Sequence, residues 1–440
     1  MLSAEKPPYR VPLMSEIAGL PWNGFNVVST FAGGGGSSTG YRMAGFRVLW
    51  ASEFIDAARE TYLANARPGT VVDGRDIRDV QASDILFETG LGVGDLDVFD
   101  GSPPCASFST AGKREKAWGA VKKYSDKEQR ADDLFFEYAR LVDGLQPKVF
   151  VAENVSGLVK GTAKGYFLEI LAALKAAGPG YRVSARLLDA QWLGVPQARQ
   201  RLIFVGVRSD LGIDPAHPKP LPYRYSIRDA LPWIKRATHD TGGSYGGAGD
   251  ITDRPAPTIT AGPKAADGGG PRNHFKVEDA GSGHRRIDEG GARRLSVDPT
   301  YPAPTVMAGG IGNVNAHQYF VEAEADISRF AIGNEWDKIG PGGQSERYFQ
   351  LVRPDQDGPC PTVTAAGGCG SIAAVTHPTE KRKFSIAELR RICGFPDDFE
   401  LTGTYAQQWE RMGRAVPPVM MGSIAATIRD EILIPLRERK

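Results

Sequence analysis

Histidine is missing from the first part of the chain, and cysteine is scarce throughout. No histidine precedes His217, so a nucleophile in the early part of the chain would need a histidine from much further along, which disfavours a Ser–His or Cys–His pair. The four cysteines form no CxxC pair. They therefore argue against a disulfide framework and against a zinc or other metal site, and they suit a reducing compartment.

Long apolar stretches are also missing. No run of about 18 apolar residues occurs, and the N-terminus has no apolar signal core, so we expect a cytoplasmic protein without a membrane segment. The net charge is only +1, and a polyanion would have to be bound by local basic patches. With 440 residues, 41% of them hydrophobic, the chain is long enough for two globular domains.

A predicted strand, a glycine turn and a predicted helix follow one another near the N-terminus. They cover residues 26–31, Gly33–Gly36 and Ser38–Ala44. Bare backbone at such a turn lets a nucleotide-like cofactor approach the helix N-terminus, although a flexible loop gives the same string. Strands and helices go on alternating as far as residue 208, which predicts an α/β fold with a doubly wound, mostly parallel sheet.

Acidic residues end the next two predicted strands. Glu53 lies about 20 residues after the glycines, where a carboxylate can bind ribose hydroxyls. The alternative is that Glu53 is only a helix N-terminal charge. Asp76 follows the third strand, so both acids are expected at the edge of the sheet where the glycine turn lies.

The stretch from Asp100 to Ser109 is the most distinctive in the chain. It follows an apolar strand pattern and contains Pro103, Pro104 and Cys105 in a row. Two prolines break regular structure, so Cys105 is expected on a stiff loop at a strand end, where catalytic groups of α/β sheets lie. Taken alone, Cys105 is better explained as a buried structural cysteine.

Local positive charge occurs in two places. Residues 111–130, which include Lys113 and Arg114, hold seven Lys/Arg against three Asp/Glu; this suits either a lid over a nucleic acid or a solvated charged loop. The second cluster is open to the same two interpretations, and it consists of Arg285, Arg286, Arg293 and Arg294.

Glycine and proline become frequent and helices few between residues 209 and 380. A Pro-x-Pro-Thr repeat begins at Pro255, Pro302 and Pro359. We expect residues 209–380 to form a small, loop-rich β domain inserted into a domain of residues 1–208 plus 381–440, because the C-terminal segment is too short to fold alone. The last helix is expected to end near Leu433, ahead of Pro435.

Taken in order, these pieces resemble the DNA (cytosine-5)-methyltransferase family. The similar motifs cover most of the chain outside the insert, and the insert lies where the family has its target recognition domain. The resemblance implies a Rossmann-like class I methyltransferase fold. The motifs are Phe31–Gly36, Gly101–Ser109, Glu153–Val155, Gln197–Arg201, Glu388–Phe399 and Gly413–Pro418.

The resemblance also implies a mechanism. Cys105 would add to C6 of a cytosine flipped out of double-stranded DNA, so that C5 can accept a one-carbon group. Glu153 would share a proton with N3 of the base. Arg201, helped by Arg199, would hold O2, and Asn154 would fix the loop.

The implied cofactor is S-adenosylmethionine. Phe31 would stack on its adenine, Glu53 would bind its ribose, and Asp76 would bind the adenine amine. The whole implied cofactor set is Phe31, Ala32, Gly33, Gly35, Gly36, Glu53, Phe54, Asp76, Ile77, Pro104, Arg414 and Ala415.

Two residues depart from the family pattern. Ala106 replaces the usual Gln, which should alter loop contacts and not the chemistry. Arg414 replaces the usual Asn and would put a cation near the sulfonium, a repulsion of roughly 3 kcal/mol at about 5 Å and an effective dielectric of about 20. Either Arg414 turns to solvent, a DNA phosphate or the cofactor's own carboxylate, or the cofactor is carboxy-S-adenosylmethionine and the product 5-carboxymethylcytosine.

Other classes of protein stay open at this stage. A nicotinamide oxidoreductase explains the glycine turn and Glu53, but not the Cys105 and arginine motifs together. An RNA cytosine-5 methyltransferase would share the fold, although the long insert favours duplex DNA. A non-catalytic DNA-binding relative would have lost Cys105 or Glu153, and both are present. We expect a monomer, and a cognate restriction enzyme is a candidate partner.

Overall fold

The computed structural model describes residues 6–104, 133–159, 163–234 and 322–439, together with the backbone of four short strands between these ranges. The chain divides into two compact units: Met1–Pro232 with Glu324–Lys440, and Trp233–Ala323. These boundaries differ from the predicted insert of residues 209–380, because residues 209–232 and 324–380 make their contacts within the first unit.

The secondary structure alternates between strands and helices in the first half of the chain. The described strands are β1 (Asn26–Thr30), β2 (Arg47–Ser52), β3 (Val71–Asp73), β4 (Val98–Gly101), β5 (Lys122–Tyr124), β6 (Lys127–Gln129), β7 (Val149–Val155), β8 (Tyr181–Asp189), β9 (Gln200–Arg208), β10 (Arg286–Glu289), β11 (Ala292–Leu295), β12 (Gly343–Gln344) and β13 (Val352–Arg353). The described α-helices are α1 (Met14–Gly19), α2 (Gly36–Met43), α3 (Asp56–Asn65), α4 (Ala82–Thr89), α5 (Leu134–Leu145), α6 (Ala163–Ala176), α7 (Ile227–Ala230), α8 (Ala331–Trp336), α9 (Ile386–Ile392), α10 (Tyr405–Arg414), α11 (Pro418–Ile428) and α12 (Ile434–Glu438).

The first unit is built on a seven-stranded sheet of order β3-β2-β1-β4-β7-β9-β8. Neighbouring strands from β3 to β7 are parallel, whereas β9 is antiparallel to both of its neighbours. The predicted doubly wound, mostly parallel sheet is therefore confirmed.

Apolar side chains cover both faces of this sheet. Adjacent residues of one strand enter different clusters: Val28 and Phe99 lie in the cluster with α5 and α6, while Val27 and Val98 lie in the cluster with α2 and α11. Side chains alternate between faces along a strand, so a central parallel strand covered by helices on both faces is a continuous apolar run. This is why β1 and β4 were recognisable in the sequence.

The C-terminal segment packs against the N-terminal part of the sheet through α2 and α11. A Cβ built at Gly40 of α2 would lie 2.6 Å from the Pro418 carbonyl oxygen, so the two helices approach closely only because residue 40 is glycine. The expected end of the last helix near Leu433 is wrong. A π-helical turn at Arg429–Leu433 leads into α12, and Pro435 lies in the first turn of α12, where its missing N–H is tolerated.

The third Pro-x-Pro-Thr repeat also packs on the first unit. The Cys360 N–H donates to the Pro196 carbonyl at 2.9 Å, and the Ala198 N–H donates to the Cys360 carbonyl at 2.8 Å. This parallel bridge attaches the repeat to the predicted arginine motif. Among the helices of the described residues, none is both long and apolar enough to span a membrane.

Candidate active site

The candidate site lies at the carboxyl edge of the sheet. Parallel strands β1, β2, β4 and β7 end there, at Thr30, Ser52, Gly101 and Val155. Residues at the ends of neighbouring parallel strands lie close together, which is where open α/β sheets bind ligands. The glycine turn, Glu53, the Pro103–Pro104 segment and the Glu153 motif therefore meet at one edge.

The glycine turn after β1 has a strained backbone that is packed behind and open in front. Phe31, Gly33 and Gly35 have φ values of +52°, +56° and +97°, and Gly35 is the N-cap of α2. A Cβ at Gly36 would lie 2.4 Å from the Val416 carbonyl oxygen, whereas one at Gly33 would meet no described atom within 4 Å. Bare backbone thus faces outward next to a helix N-terminus, an arrangement that fits the implied cofactor.

Glu53 holds the turn from the end of β2. Its Oε2 accepts the Gly33 N–H and its Oε1 accepts the Ile55 N–H, both at 2.7 Å. Burial raises the pKa of Glu53, while these two hydrogen bonds and the charges of Arg59 and Arg414 act in the opposite direction. Each carboxylate oxygen keeps a second lone pair, as the predicted role at the ribose hydroxyls requires.

Asp76 lies beyond the end of β3 and already has a cationic neighbour. It caps a short 3-10 turn by accepting the Arg78 N–H at 3.1 Å, and its Oδ2 lies 3.0 Å from Arg78 Nη1. Arg78 also pairs with Asp133, at the start of α5, at 2.6 Å. Ile77 is buried in the core, so only its backbone can serve a ligand.

Asn154 links β7 to the proline segment. Its Nδ2 donates to the Pro103 carbonyl at 3.2 Å, and its Oδ1 accepts the Val155 N–H at 2.8 Å. Pro104 is the last described residue of that segment. Several predicted residues lie outside the described residues, namely Cys105, Ala106, Lys113, Arg114 and Arg285.

Glu153 and Arg201 form an ion pair at the site. The Arg201 Nε lies 2.6 Å from Glu153 Oε1, and the two side chains are only 12% and 10% exposed. Strands β7 and β9 are paired so that Val155 lies opposite Arg201. A carboxylate and a guanidinium are thereby held together, almost out of solvent, beside Asn154.

Arg199 occupies a different environment from Arg201. It is 1% exposed, and it donates to the Gly413 carbonyl at 2.8 Å and the Val363 carbonyl at 3.2 Å. Burial, reinforced by the charge of Arg201, lowers the pKa of Arg199 to about 9, which still leaves it charged at neutral pH. The structure therefore separates the two arginines that the sequence analysis had grouped, and the predicted help from Arg199 stays a prediction.

Arg414 and Ala415 lie where α10 ends against the glycine turn. A Cβ at Gly36 would be 3.5 Å from the Ala415 Cβ. The Arg414 Nη2 lies 2.8 Å from Glu410 Oε1, and the Arg414 side chain is 49% exposed. Its charge also reaches the buried Glu53 carboxylate. Arg414 thus stands among carboxylates at the predicted cofactor site.

Two residues of this region were not identified from the sequence. Glu410 could have been found, since it lies four residues before Arg414 and, on a helix such as α10, this spacing brings opposite charges together. Asp100 is buried at the end of β4, with 1% exposure. Its signal was an acid inside an apolar strand pattern.

Three of the four predicted DNA-contacting arginines of the insert lie on one antiparallel ribbon, β10–β11. Arg286 is opposite Leu295, Arg294 opposite Ile287, and Arg293 opposite Asp288. Their contact with DNA stays a prediction.

Two features together define a methyltransferase-type α/β fold. One is the sheet order, in which β9 is antiparallel to both of its neighbours. The other is the glycine turn, which faces the carboxylate of Glu53. The model of the C-5 cytosine-specific DNA methylase family matches residues 25–430, and the chain belongs to this family. The resemblance noted in the sequence is therefore confirmed, and membership implies the use of S-adenosylmethionine.

Relatives of known type match along most of their length. The chain is 28% identical over 402 residues to Type II methyltransferase M.NgoFVII of Neisseria gonorrhoeae, covering 91% of this chain and 86% of that protein. It is 27% identical over 416 residues to Type II methyltransferase M.DdeI of Desulfomicrobium norvegicum, covering 92% and 88%.

A solved structure shows the same fold. The crystal structure of a protein described as a DNA modification methyltransferase encoded within a prophage (E. coli) has a TM-score of 0.59 and 19% identity. The match covers 93% of this chain and 99% of that chain.

Proposed function

We propose that the protein transfers a one-carbon group from S-adenosylmethionine to C5 of a cytosine flipped out of duplex DNA, through a covalent bond between Cys105 and C6. The observation that carries this proposal is the Glu153–Arg201 ion pair at 2.6 Å. It lies beside the Asn154–Pro103 hydrogen bond, two residues before Cys105. An acid and a cation thus lie beside the segment of chain that leads directly to the proposed nucleophile, Cys105.

The reaction starts at the Cys105 thiolate. Its sulfur forms a bond to C6, and the electron pair of the C5–C6 double bond moves to C5, which becomes nucleophilic. When bound, the cofactor supplies an electrophilic carbon on a sulfonium. After transfer, loss of the C5 proton to a base restores the double bond and expels the thiolate. Cys105 has no histidine near it in sequence, so nearby cations or dipoles must favour its thiolate.

Glu153 and Arg201 assist the addition of Cys105 from neighbouring positions on the ring, Glu153 at N3 and Arg201 at O2. Proton sharing between Glu153 and N3 makes the ring more electrophilic at C6. Arg201 offsets the charge that develops at O2. The two side chains form an ion pair in the free protein, so the incoming base must separate them to contact both. Asn154 keeps its role through the Pro103 carbonyl, where it fixes the path of the chain toward Cys105.

The cofactor is held by the glycine turn and the acids around it. The outward backbone at Gly33 allows close approach, Glu53 binds the ribose, and Asp76 accepts from the adenine amine. Asp76 has to share its oxygens with Arg78, which lies 3.0 Å away. Phe31 is only partly buried, as a ring that stacks on adenine must be.

The test is group transfer to nucleic acid by the purified full chain. Duplex DNA and tRNA are each incubated with the protein and S-adenosylmethionine and then digested to nucleosides. The masses of the nucleosides are measured by mass spectrometry. We expect 5-methylcytosine in the DNA treated with the wild type. The rate of methyl transfer should fall by a factor of about 10²–10⁴ in Glu153→Gln. Trapped covalent protein–DNA adducts should be absent in Cys105→Ser. Modification of tRNA alone, or of adenine, would contradict the proposal.

A second candidate concerns the transferred group, and Arg414 favours it. Arg414 lies at the glycine turn, where its charge reaches Glu53. With carboxy-S-adenosylmethionine the guanidinium would pair with the extra carboxylate, a charge-assisted and bidentate contact, and the product would be 5-carboxymethylcytosine. Glu410 favours the ordinary cofactor, S-adenosylmethionine, because its Oε1 lies 2.8 Å from Arg414 Nη2 and its charge offsets that of Arg414.

Competition between the two cofactors decides between these candidates. The wild type and Arg414→Asn are each incubated with duplex DNA and a mixture of both cofactors. The mass of the modified cytidine is then measured by mass spectrometry. Carboxymethyl transfer predicts a mass gain of one carboxymethyl group in the wild type and a shift toward methyl product in Arg414→Asn. Only methyl product from the wild type, with the carboxy cofactor in excess, would rule it out.

We also propose that the predicted insert, residues 209–380, supplies sequence recognition. Its support is the family's domain order and the basic ribbon that carries Arg286, Arg293 and Arg294. Replacing Arg293 and Arg294 together by Ala should weaken DNA binding in a salt-dependent manner and leave cofactor binding unchanged.

A further inference from the structure

Asp100 is a buried acid that the proposed chemistry does not use. It lies on β4, five residues before Cys105 in sequence, and it is 1% exposed. Three hydroxyl groups donate to its carboxylate: Ser29 Oγ at 2.8 Å, Ser37 Oγ at 2.6 Å and Tyr41 Oη at 3.4 Å. Full burial of a carboxylate costs free energy even when the carboxylate is hydrogen-bonded. A buried acid at position 100 therefore suggests a functional role.

The three donors come from two elements of the cofactor turn. Ser29 is on β1, just before Phe31, while Ser37 and Tyr41 are on α2, which begins directly after the glycines. The N-terminal end of a helix carries partial positive charge, so the first turn of α2 and the Ser37 hydroxyl both favour a carboxylate at this place. Asp100 therefore joins β1, α2 and β4 at one point, behind the turn.

We propose that Asp100 is a positioning residue for the transfer reaction: through Ser29 and Ser37 it fixes the glycine turn of the cofactor site against β4, the strand that leads to Cys105. This inference rests on the proposed function. It adds to that function a residue that contacts neither cofactor nor base and acts through the first turn of α2.

Other titratable groups face Asp100 from the surrounding elements. They are Tyr41 on α2, Tyr62 on α3, Tyr138 on α5 and Glu153 on β7. Burial raises the pKa of all three phenols, so they stay neutral in the range where a carboxylate titrates. Burial, with a smaller contribution from the charge of Glu153, raises the pKa of Asp100 itself to about 6.

The test measures the affinity for S-adenosylhomocysteine, the unreactive product, by calorimetry on the full chain. The variants are Asp100→Asn, Ser37→Ala and the double variant. The matched control is Asp97→Asn, because Asp97 is also a buried acid next to β4 but binds Asn26 and Lys148 at the opposite end of the strand. Activity on DNA is measured in parallel as kcat and as KM for the cofactor.

We expect each single variant to raise the dissociation constant about tenfold, and the double variant to raise it no further than Asp100→Asn does, since Ser37 acts through its contact with Asp100. KM should rise likewise while kcat changes little. The wild type should lose affinity below about pH 6 more steeply than Asp100→Asn, which isolates Asp100 from the acid titration of Glu53. Asp97→Asn should leave the dissociation constant unchanged.

Unchanged affinity in Ser37→Ala would overturn the proposal, and so would an equal loss in Asp97→Asn or strictly additive effects in the double variant. Ser37→Ala decides the matter if Asp100→Asn does not fold, because alanine is well tolerated in a helix. A wild type that binds S-adenosylhomocysteine but modifies no DNA would overturn the proposed function alone. Failure of the wild type to bind would overturn both.

Discussion

Arg414 pairs with Glu410 one helical turn earlier on α10, with 2.8 Å between Nη2 and Oε1. The pair places an acid beside the cation that, by the resemblance noted in the sequence, replaces the usual Asn of the family. In the proposed cofactor site, the Glu410 carboxylate would offset the charge that Arg414 brings near the sulfonium. How Glu410 and Arg414 share their charges therefore bears directly on which cofactor the site prefers.

Glu410→Gln should raise the KM for S-adenosylmethionine by about threefold to tenfold, because Arg414 would then repel the sulfonium without its partner. In the same variant the carboxy cofactor should become the better substrate. Initial rates with each cofactor give both values. Glu137→Gln is the matched control, since it removes a comparable pair with Arg140 on α5, and it should leave both KM values unchanged. A Glu410→Gln enzyme with wild-type KM would contradict this prediction.

Arg199 and Arg201 should differ in what their loss affects. Arg199→Met leaves the buried carbonyls of Val363 and Gly413 without their donor, which should lower the free energy of unfolding by about 2–3 kcal/mol. Arg201→Met should lower kcat strongly, and because it leaves the nearly buried Glu153 carboxylate without its partner, it should also lower stability, but the rate should fall by far more than the loss of stability explains. Urea unfolding and single-turnover rates on DNA measure the two effects. The prediction fails if the two variants lose stability and rate in equal proportion.

Asp100 should make the protein less stable as the pH rises. Its pKa is raised by burial to about 6 in the folded protein, above the ordinary value of 3.8. In the unfolded chain it ionises first, so the folded state holds the extra proton between these values, and stability falls with rising pH across that window. The loss amounts to about 3 kcal/mol at most.

Urea unfolding of the wild type and Asp100→Asn at pH 4.5 and pH 7.5 tests this. We expect the variant to gain stability relative to the wild type at the higher pH, although it binds cofactor less well. A structural role alone would make the variant less stable at both pH values. Equal pH dependence in the two proteins would count against the burial argument.

Asp76 should set the preference for adenine. S-Inosylhomocysteine has a carbonyl in place of the amine that Asp76 is proposed to accept from. Asp76→Asn should therefore reduce the preference for S-adenosylhomocysteine over this analogue by about tenfold, as expected for one charge-assisted hydrogen bond. Competitive binding measures the ratio. Asp73→Asn, which removes the partner of Arg75 at the end of β3, should not change it.

Local patterns predicted most of the elements that build the site. The strand, glycine turn and helix at 26–43 were recognisable because apolar runs, bare glycines and helical spacing are all properties of neighbouring residues. The capping box of α9 is also a local feature: Ser385 and Glu388, three residues apart, each accept the other's backbone N–H. The π-helical turn before Pro435 was missed, since it depends on how α11 packs and not on the proline alone.

Relations between distant segments were not predictable in the same way. Arg199 and Arg201 have the same residue type two positions apart, and only the approach of Val363 and Gly413 makes one of them buried. The boundaries of the second unit also differ from the change in composition at 209 and 380. Residues 324–380 are rich in glycine and proline, yet they pack on the first unit through contacts such as that of Cys360 with Pro196 and Ala198.

The sequence by itself determined the α/β class, the order of the motifs and, through them, the family, because each depends on residues close together in the chain. Only the tertiary structure decided which charges meet. It joined Glu153 to Arg201, placed the Glu410–Arg414 pair of one helix at the glycine turn, and buried Asp100 beneath Ser29 and Ser37. Charge interactions depend on distance and burial in space, and those are set when remote segments pack.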